Sequence, residues 1–374
     1  MQNITEICGQ TPLVKLRNII RNPETDISLK LEAMNGSGSI KMRPAKYIIE
    51  RAEESGALKP GGTIIESSSG NFGIACAMIG AAKGYRVIMV VDPKTTPTNR
   101  ALLEVYGAEL VVIEVPDEDG AYHKSRISFA DRLAQEIPNS FRPDQCFNLQ
   151  NNEAHYQSTA VEILNQCQGR IDALIISVST GGQIGGIGRY FHEHSPNTKI
   201  IAIEPVGSCI FGGKPHAYLL PGMGLSWTPT NITDLNHIDS IYKVPDEDAF
   251  LACRILAKRE GILVGGSTGA NVMVALNLSQ QLGSAHIVCM ASDGGERYLE
   301  TIYNDVWMQE KNLQTHCTID ELYERTSQLK IYGDNPAENG NYQPHLRNEL
   351  FSMADKITTE SPLLKRFIQP EIAL

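Results

Sequence analysis

Short runs that are apolar at nearly every position alternate along this chain with longer stretches whose apolar residues recur every three to four places. The runs predict strands at "TIIESSS" from Thr63, "RVIMVVD" from Arg86, "ELVVIEV" from Glu109, "ALIISVS" from Ala173, "KIIAIEP" from Lys199 and "HIVCMAS" from His286. Each is followed by a glycine-, proline- or serine-rich turn and usually by a helical pattern. Such alternation predicts parallel sheets crossed by helices, an α/β architecture with ligands gathered at the carboxyl ends of the strands.

The elements fall into two groups. Residues 36–144 are expected to make a smaller domain, and residues 1–35 with 145–310 a larger one, the second group resuming at "RPDQCFNLQNNEAHYQS". After Trp307 the chain turns polar, and 311–374 is expected to be a C-terminal extension of unknown role. Within it "GDNPAENGNYQPH" from Gly333 predicts an exposed loop. The stretch "RNELFSMADKITTESPLLKRFI" from Arg347 has modest helical periodicity, suited equally to a covered surface and to a loosely packed tail.

Composition narrows the class. With 374 residues, 42% hydrophobic and 20% charged, the chain suits a globular enzyme of two domains. Its formal charge of -10, from 43 acidic against 33 basic residues, comes without a basic cluster, which argues against nucleic acid as a partner. The start "MQNITEICGQTPLVKL" lacks the pattern of a secretory leader. No apolar run approaches the roughly 18 residues of a membrane span, so a cytoplasmic protein without a membrane partner is expected. Eight scattered cysteines form no C-x-x-C pair and read as core thiols; with dispersed histidines, no metal site is expected.

Four helix mouths carry the candidate chemistry. In "GSGSIKMRPAKYIIERA" from Gly36, a small-residue bend delivers Lys41 to the start of a helical pattern, where a cation is slightly misplaced against the helix dipole. "SSSGNFG" from Ser67, "STGGQIGG" from Ser179 and "GGSTGAN" from Gly265 each lead from an apolar stretch into a helix, the arrangement that offers backbone N–H groups to an anion. Any one of them is more simply a capped turn. The phosphate-loop lysine and the dinucleotide G-x-G-x-x-G spacing are both absent, which disfavours a nucleotide. A cofactor with a phosphate, a hydrogen-bonding ring and an aldehyde that takes a lysine would use all four parts, and pyridoxal phosphate is such a cofactor.

From "GQTPLVKL" at Gly9 to "SDGGERYL" at Ser292 the chain resembles the fold-type II pyridoxal phosphate enzymes of the cysteine synthase and tryptophan synthase β-subunit group. The resemblance implies two three-layer α/β domains, the smaller one mobile, with the cofactor in the cleft between them, and a homodimer. Residue by residue, Lys41 matches the lysine that bonds the cofactor, and Asn71 the asparagine on the ring hydroxyl. Ser179, Thr180, Gly181, Gly182 and Gln183 match the cup for the cofactor phosphate, and Ser267 the hydroxyl facing the pyridine nitrogen. Ser68, Ser69 and Gly70 match the loop that takes the substrate carboxylate, and Gln150 falls where the substrate-sensing loop is expected. Two positions depart from the family pattern N-P-x-x-S-x-K-D-R: Gly36 replaces its proline and Met42 its aspartate.

A narrower resemblance, in "KMRPAKYIIE", "VVDPKTTPTN", "PDEDGAYHKSRI" and "GSCIFGGKP", is to the N-(2-amino-2-carboxyethyl)-L-glutamate synthases of 2,3-diaminopropionate biosynthesis, in which the arginine matching Arg126 reads the substrate phosphate. Phe72 agrees with it, because cysteine synthases usually carry threonine there, and "AHYQST" from Ala154 is similar to enzymes that use phosphoserine. This implies β-replacement on O-phospho-L-serine through an aminoacrylate, with the amine of L-glutamate as nucleophile and small amino acids as the partners. A downstream oxidative enzyme of the same pathway would be a further partner. Two alternatives stand beside this reading. One is a cysteine synthase using O-acetylserine or O-phosphoserine with sulfide; the other is a low-turnover cofactor-binding protein with a regulatory or docking role.

Overall fold

Strands covered by helices on both faces have no solvent side, which is why their sequences run apolar without alternation. The computed structural model describes residues 3–117, 120–334 and 336–339, and "RNELFSMADKITTESPLLKRFI" lies outside the described residues. The strands, in chain order, are β1 Leu13–Lys15, β2 Thr25–Leu31, β3 Thr63–Ser67, β4 Arg86–Val91, β5 Glu109–Val112, β6 Ser140–Phe141, β7 Ala173–Ser177, β8 Lys199–Pro205, β9 Ser240–Val244, β10 Ala285–Ala291 and β11 Ile331–Asp334. All six runs picked out from the sequence are among them. Two compact units emerge, one of Lys41–Gln150 with residues 3–7, the other of Cys8–Ile40 with the described chain from Asn151 onward. Lys41 and Gln150 stand where edges at 36 and 144 were expected, and residues 3–7 group with the first unit, whereas the expectation placed them in the larger domain.

The first unit holds a parallel sheet in the order β5-β4-β3-β6. Ile65, Ile88, Val90 and Val111 meet Phe129, Ala130 and Leu133 of the helix His123–Glu136 on one face. The helix Asn71–Lys83 is buried from Phe72 through Gly80, as a helix apolar all round must be. It comes so close to the sheet that a Cβ on Gly80 would sit 2.2 Å from Val87 Cγ2. The helix Met42–Ser55 packs on it through Ala45, Ile48, Ile49 and Ala52, and ends at Gly56 in the left-handed region, φ 74°.

The second unit is built on the order β1-β2-β10-β7-β8-β9-β11, parallel from β2 to β9 and antiparallel at both edges. The helix Gly266–Gln281 is buried along almost its whole length and crosses the helix Asp246–Glu260 at Gly269, whose Cβ would stand 2.0 Å from the Ala249 carbonyl. The polar stretch after Trp307 belongs to this unit as far as it is described. A capping box of Thr318 and Glu321 starts the helix Ile319–Ser327. Its Leu322 and Tyr323 join the core, where the Tyr323 hydroxyl donates to the Ile19 carbonyl at 3.1 Å.

The loop expected at Gly333 is in part the edge strand β11. Among the described residues it pairs with β9 alone and is largely exposed, so it has no need of an apolar run. Leu322 is fully buried, and Leu322→Ala is expected to cost about 2–5 kcal/mol in denaturant unfolding. A loss below about 0.5 kcal/mol would mean that this helix is only laid on the surface.

Candidate active site

In the second unit, β7 ends at Ser177 and the chain bends through Ser179, Thr180 and Gly181 into the helix Gly182–His194. Gly181 sits in the left-handed region at φ 84°, which this turn reserves for glycine. A Cβ on Gly182 would stand 2.1 Å from Asn151 Cγ, and one on Gly185 2.2 Å from the Asn231 carbonyl. The glycines therefore let Asn151 and Asn231 close in behind the turn, and Asn231 Nδ2 donates to the Thr180 carbonyl at 2.9 Å. Gln183 is buried, and its Nε2 donates no hydrogen bond.

Ser267 is buried in the first turn of the helix Gly266–Gln281. The preceding Gly265 has no room for a side chain, since its Cβ would be 2.1 Å from Asp293 Oδ1. The segment after β10 ties two approaches together: Ile40 N–H donates to the Ser292 carbonyl at 2.8 Å, and Gly295 N–H to the Leu263 carbonyl at 3.2 Å. The residue before Lys41 and the turn before Ser267 are thus fixed by one strand end. Asp293 in turn accepts from the Tyr298 hydroxyl at 2.6 Å, and burial pushes that phenol well up from its ordinary value.

In the first unit, Lys41 stands half-buried at the N-terminal boundary of the helix Met42–Ser55, whose first turn holds no acidic residue. Met42 is fully buried beside it. β3 ends in Ser67, and Ser68, Ser69 and Gly70 lead to Asn71, the first residue of the next helix. Ser68 Oγ accepts from Gly73 N–H at 3.0 Å, and the Ser69 carbonyl accepts from Asn99 Nδ2 at 3.0 Å. The loop is held from both sides, and Ser67 Oγ is buried with no hydrogen-bond partner.

Arg126, one turn into the helix His123–Glu136, is buried in the same unit. Its Nη1 lies 3.0 Å from Asp92 Oδ2 and its Nη2 donates to His123 Nδ1 at 3.1 Å. Burial draws the guanidinium pKa down, against the opposing pull of Asp92. Gln150 opens the short helix Gln150–Ala154, its N–H donating to Asn148 Oδ1 at 3.0 Å.

A family model described as "Pyridoxal-phosphate dependent enzyme" matches residues 4–293. The chain belongs to this family. Its relatives include N-(2-amino-2-carboxyethyl)-L-glutamate synthase of Ralstonia nicotianae, 40% identical over 82% of this chain and 91% of that protein. The enzyme of the same name from Cupriavidus metallidurans is 39% identical over the same shares. Among solved structures, O-ureido-L-serine synthase superposes with a TM-score of 0.77 at 32% identity, covering 82% of this chain and 96% of that one. The chain is accordingly a fold-type II pyridoxal phosphate enzyme of the cysteine synthase-like group, with pyridoxal phosphate as its cofactor.

The residues present fit that cofactor. The turn from Ser179 to Gln183 offers unspent N–H groups at a helix N-terminus, cleared of side chains by Gly181 and Gly182, together with the orphaned Gln183 amide. Ser267 presents a hydroxyl from a second helix start, where an aspartate would bury a charge. Among the described residues no helix is long and apolar enough to cross a membrane, and no group of three metal-ligating side chains occurs.

Sequence reasoning passed over Asp92, Asn99, His123 and Asn231, which hold Arg126, the Ser69 carbonyl and the Thr180 carbonyl. Asp92 carried a readable signal, a carboxylate directly after an apolar strand. Asn231 carried none, because it reaches Thr180 from 51 residues away.

Glu66, the last residue but one of β3, was also passed over. It is buried, with Oε1 accepting from Ser67 N–H at 2.7 Å and Arg142 Nη2 3.8 Å away. Burial outweighs Arg142 and pushes its carboxyl up to about 7 from 4.5. The native state then binds an extra proton between those values, so its stability falls as pH rises through that window. Glu66→Gln removes the effect: its melting temperature is expected to vary less with pH, and above pH 7 to gain at least about 2 °C relative to the parent. Parallel curves for the two proteins would show that Glu66 titrates normally.

Proposed function

We propose that this enzyme carries out β-replacement on O-phospho-L-serine, exchanging phosphate for the amine of L-glutamate to give N-(2-amino-2-carboxyethyl)-L-glutamate. The observation that carries the leaving group is Arg126, a buried guanidinium whose Nε and Nη1 donate no hydrogen bond, in the same unit as the serine loop. A planar cation of this kind suits a phosphate dianion better than an acetyl ester. The amine partner follows the name that the two relatives bear.

When bound, pyridoxal phosphate supplies an aldehyde that takes the substrate amine and a ring that draws electrons from Cα. The chain supplies the rest. Lys41 anchors the cofactor at rest, and its Nζ removes the Cα proton and later returns it. Asn71 donates to the ring hydroxyl, and Ser179, Thr180, Gly181, Gly182 and Gln183 hold the cofactor phosphate. Ser267 meets the pyridine nitrogen with a neutral hydroxyl, which leaves that nitrogen unprotonated and the ring a weaker sink, favouring loss of the β-substituent over racemisation. Ser68, Ser69 and Gly70 orient the substrate carboxylate through backbone N–H groups, Gln150 contributes from the far end of the unit, and Arg126 receives the phosphate. The protein is read as a cytoplasmic homodimer, in line with the family.

The test is a spectral titration of the purified enzyme with phosphoserine, followed by a panel of amino acids and sulfide, with products identified by mass. Glutamate is expected to give the adduct together with stoichiometric phosphate. Clear preference for sulfide would make the protein a cysteine synthase, and no phosphate release with any nucleophile would favour a regulatory role.

A further inference from the structure

Arg126 and Asp92 are both buried, at 5% and 7% exposure, so the guanidinium needs a counter-charge whether or not substrate is present. Asp92 is its acidic partner within 4 Å among the described residues. The other charged neighbours are committed elsewhere. Asp117 accepts from Lys124 N–H and Ser125 N–H, and Glu66 from Ser67 N–H beside Arg142.

The pair is close but not aligned. Nη1 lies 3.0 Å from Asp92 Oδ2, yet neither Nη1 nor Nε donates a hydrogen bond, whereas lasting arginine–carboxylate pairs point their N–H bonds at the oxygens. Asp92 is also anchored without Arg126: its Oδ1 accepts from Lys94 N–H at 2.8 Å, and its carbonyl from Thr95 N–H and Arg100 Nη2, each at 3.1 Å. The carboxylate therefore keeps its place when the guanidinium turns to another anion.

We propose that Asp92 is the resting counter-ion of Arg126, displaced by substrate phosphate and re-paired with the guanidinium as inorganic phosphate leaves. The inference rests on the reading of Arg126 as the phosphate reader. Asp92 then acts as a positioning residue that limits how tightly phosphate is held, which favours product release.

The test is calorimetric titration of the holoenzyme, its cofactor-phosphate cup filled, with inorganic phosphate. Asp92→Asn keeps an oxygen for Lys94 N–H and removes the competing charge. It is expected to bind phosphate about tenfold more tightly than the parent, about 1.4 kcal/mol, and to lower both kcat and KM for phosphoserine. Arg126→Ala is expected to abolish the phosphate heat. Unchanged or weaker binding by folded Asp92→Asn, with Arg126-dependent binding intact in the parent, would overturn the counter-ion role alone. Absence of phosphate binding and of phosphate release in the parent would instead overturn the leaving-group reading, and this inference with it. Should the variant not fold, a crystal structure of the parent holoenzyme with phosphate decides. Nη1 and Oδ2 are expected more than 4 Å apart, and a retained 3.0 Å pair overturns the proposal.

Discussion

Lys41→Ala is expected to lower turnover by at least about 10³-fold, since the substitution removes both the covalent anchor and the base that works at Cα. The visible band of the lysine-bound cofactor should vanish, and borohydride should leave no adduct at residue 41. The fold is expected to survive, because Lys41 is only half-buried at the start of its helix. Lys30 offers no substitute: its Nζ is fully spent on the Thr11 carbonyl at 2.7 Å, Glu162 at 2.8 Å and Gln166 at 3.0 Å. Turnover near that of the parent, or an adduct on another lysine, would remove Lys41 from both roles.

Arg126→Ala is expected to separate the two leaving groups. Truncating one partner of a buried charge contact costs about 2–5 kcal/mol, which predicts a loss of about 30- to 4,000-fold in kcat/KM for phosphoserine. O-acetylserine, which brings no dianion, should lose less than about tenfold by the same argument. Arg126→Lys is not expected to rescue phosphoserine, because an ammonium reproduces neither the planar fork nor the contacts to Asp92 and His123. Equal losses on both substrates would show that Arg126 supports the unit and does not read phosphate.

Much of the fold was legible because both sheets are mainly parallel and buried, so their strands announce themselves as apolar runs. β1, β2, β6, β9 and β11 were not picked out. β2 and β9 are largely buried, but polar residues interrupt them, Lys30 and Lys243 among them, so no continuous apolar run marks either strand. β1, β6 and β11 were missed for another reason. They have two to four residues and at least partly exposed faces, so burial imposes no pattern on them. The helix Ile319–Ser327 was hidden for a different reason: it buries only Leu322, Tyr323 and Thr326, and three positions in nine leave a stretch that reads as polar.

The sequence by itself determined the kind of chemistry on offer. Small-residue bends before helices, a lysine at one such mouth and hydroxyls at the others are local features, set by which residues tolerate tight turns and leave N–H groups unspent. What the tertiary structure alone decided is how those groups are held and charged. Asp92 is placed at Arg126 across 34 positions, Asn231 at Thr180 across 51, and Glu66 is raised to about 7 by burial. Separation in space, desolvation and the alignment of N–H bonds depend on how elements distant in the chain pack, and no local pattern of residues encodes them.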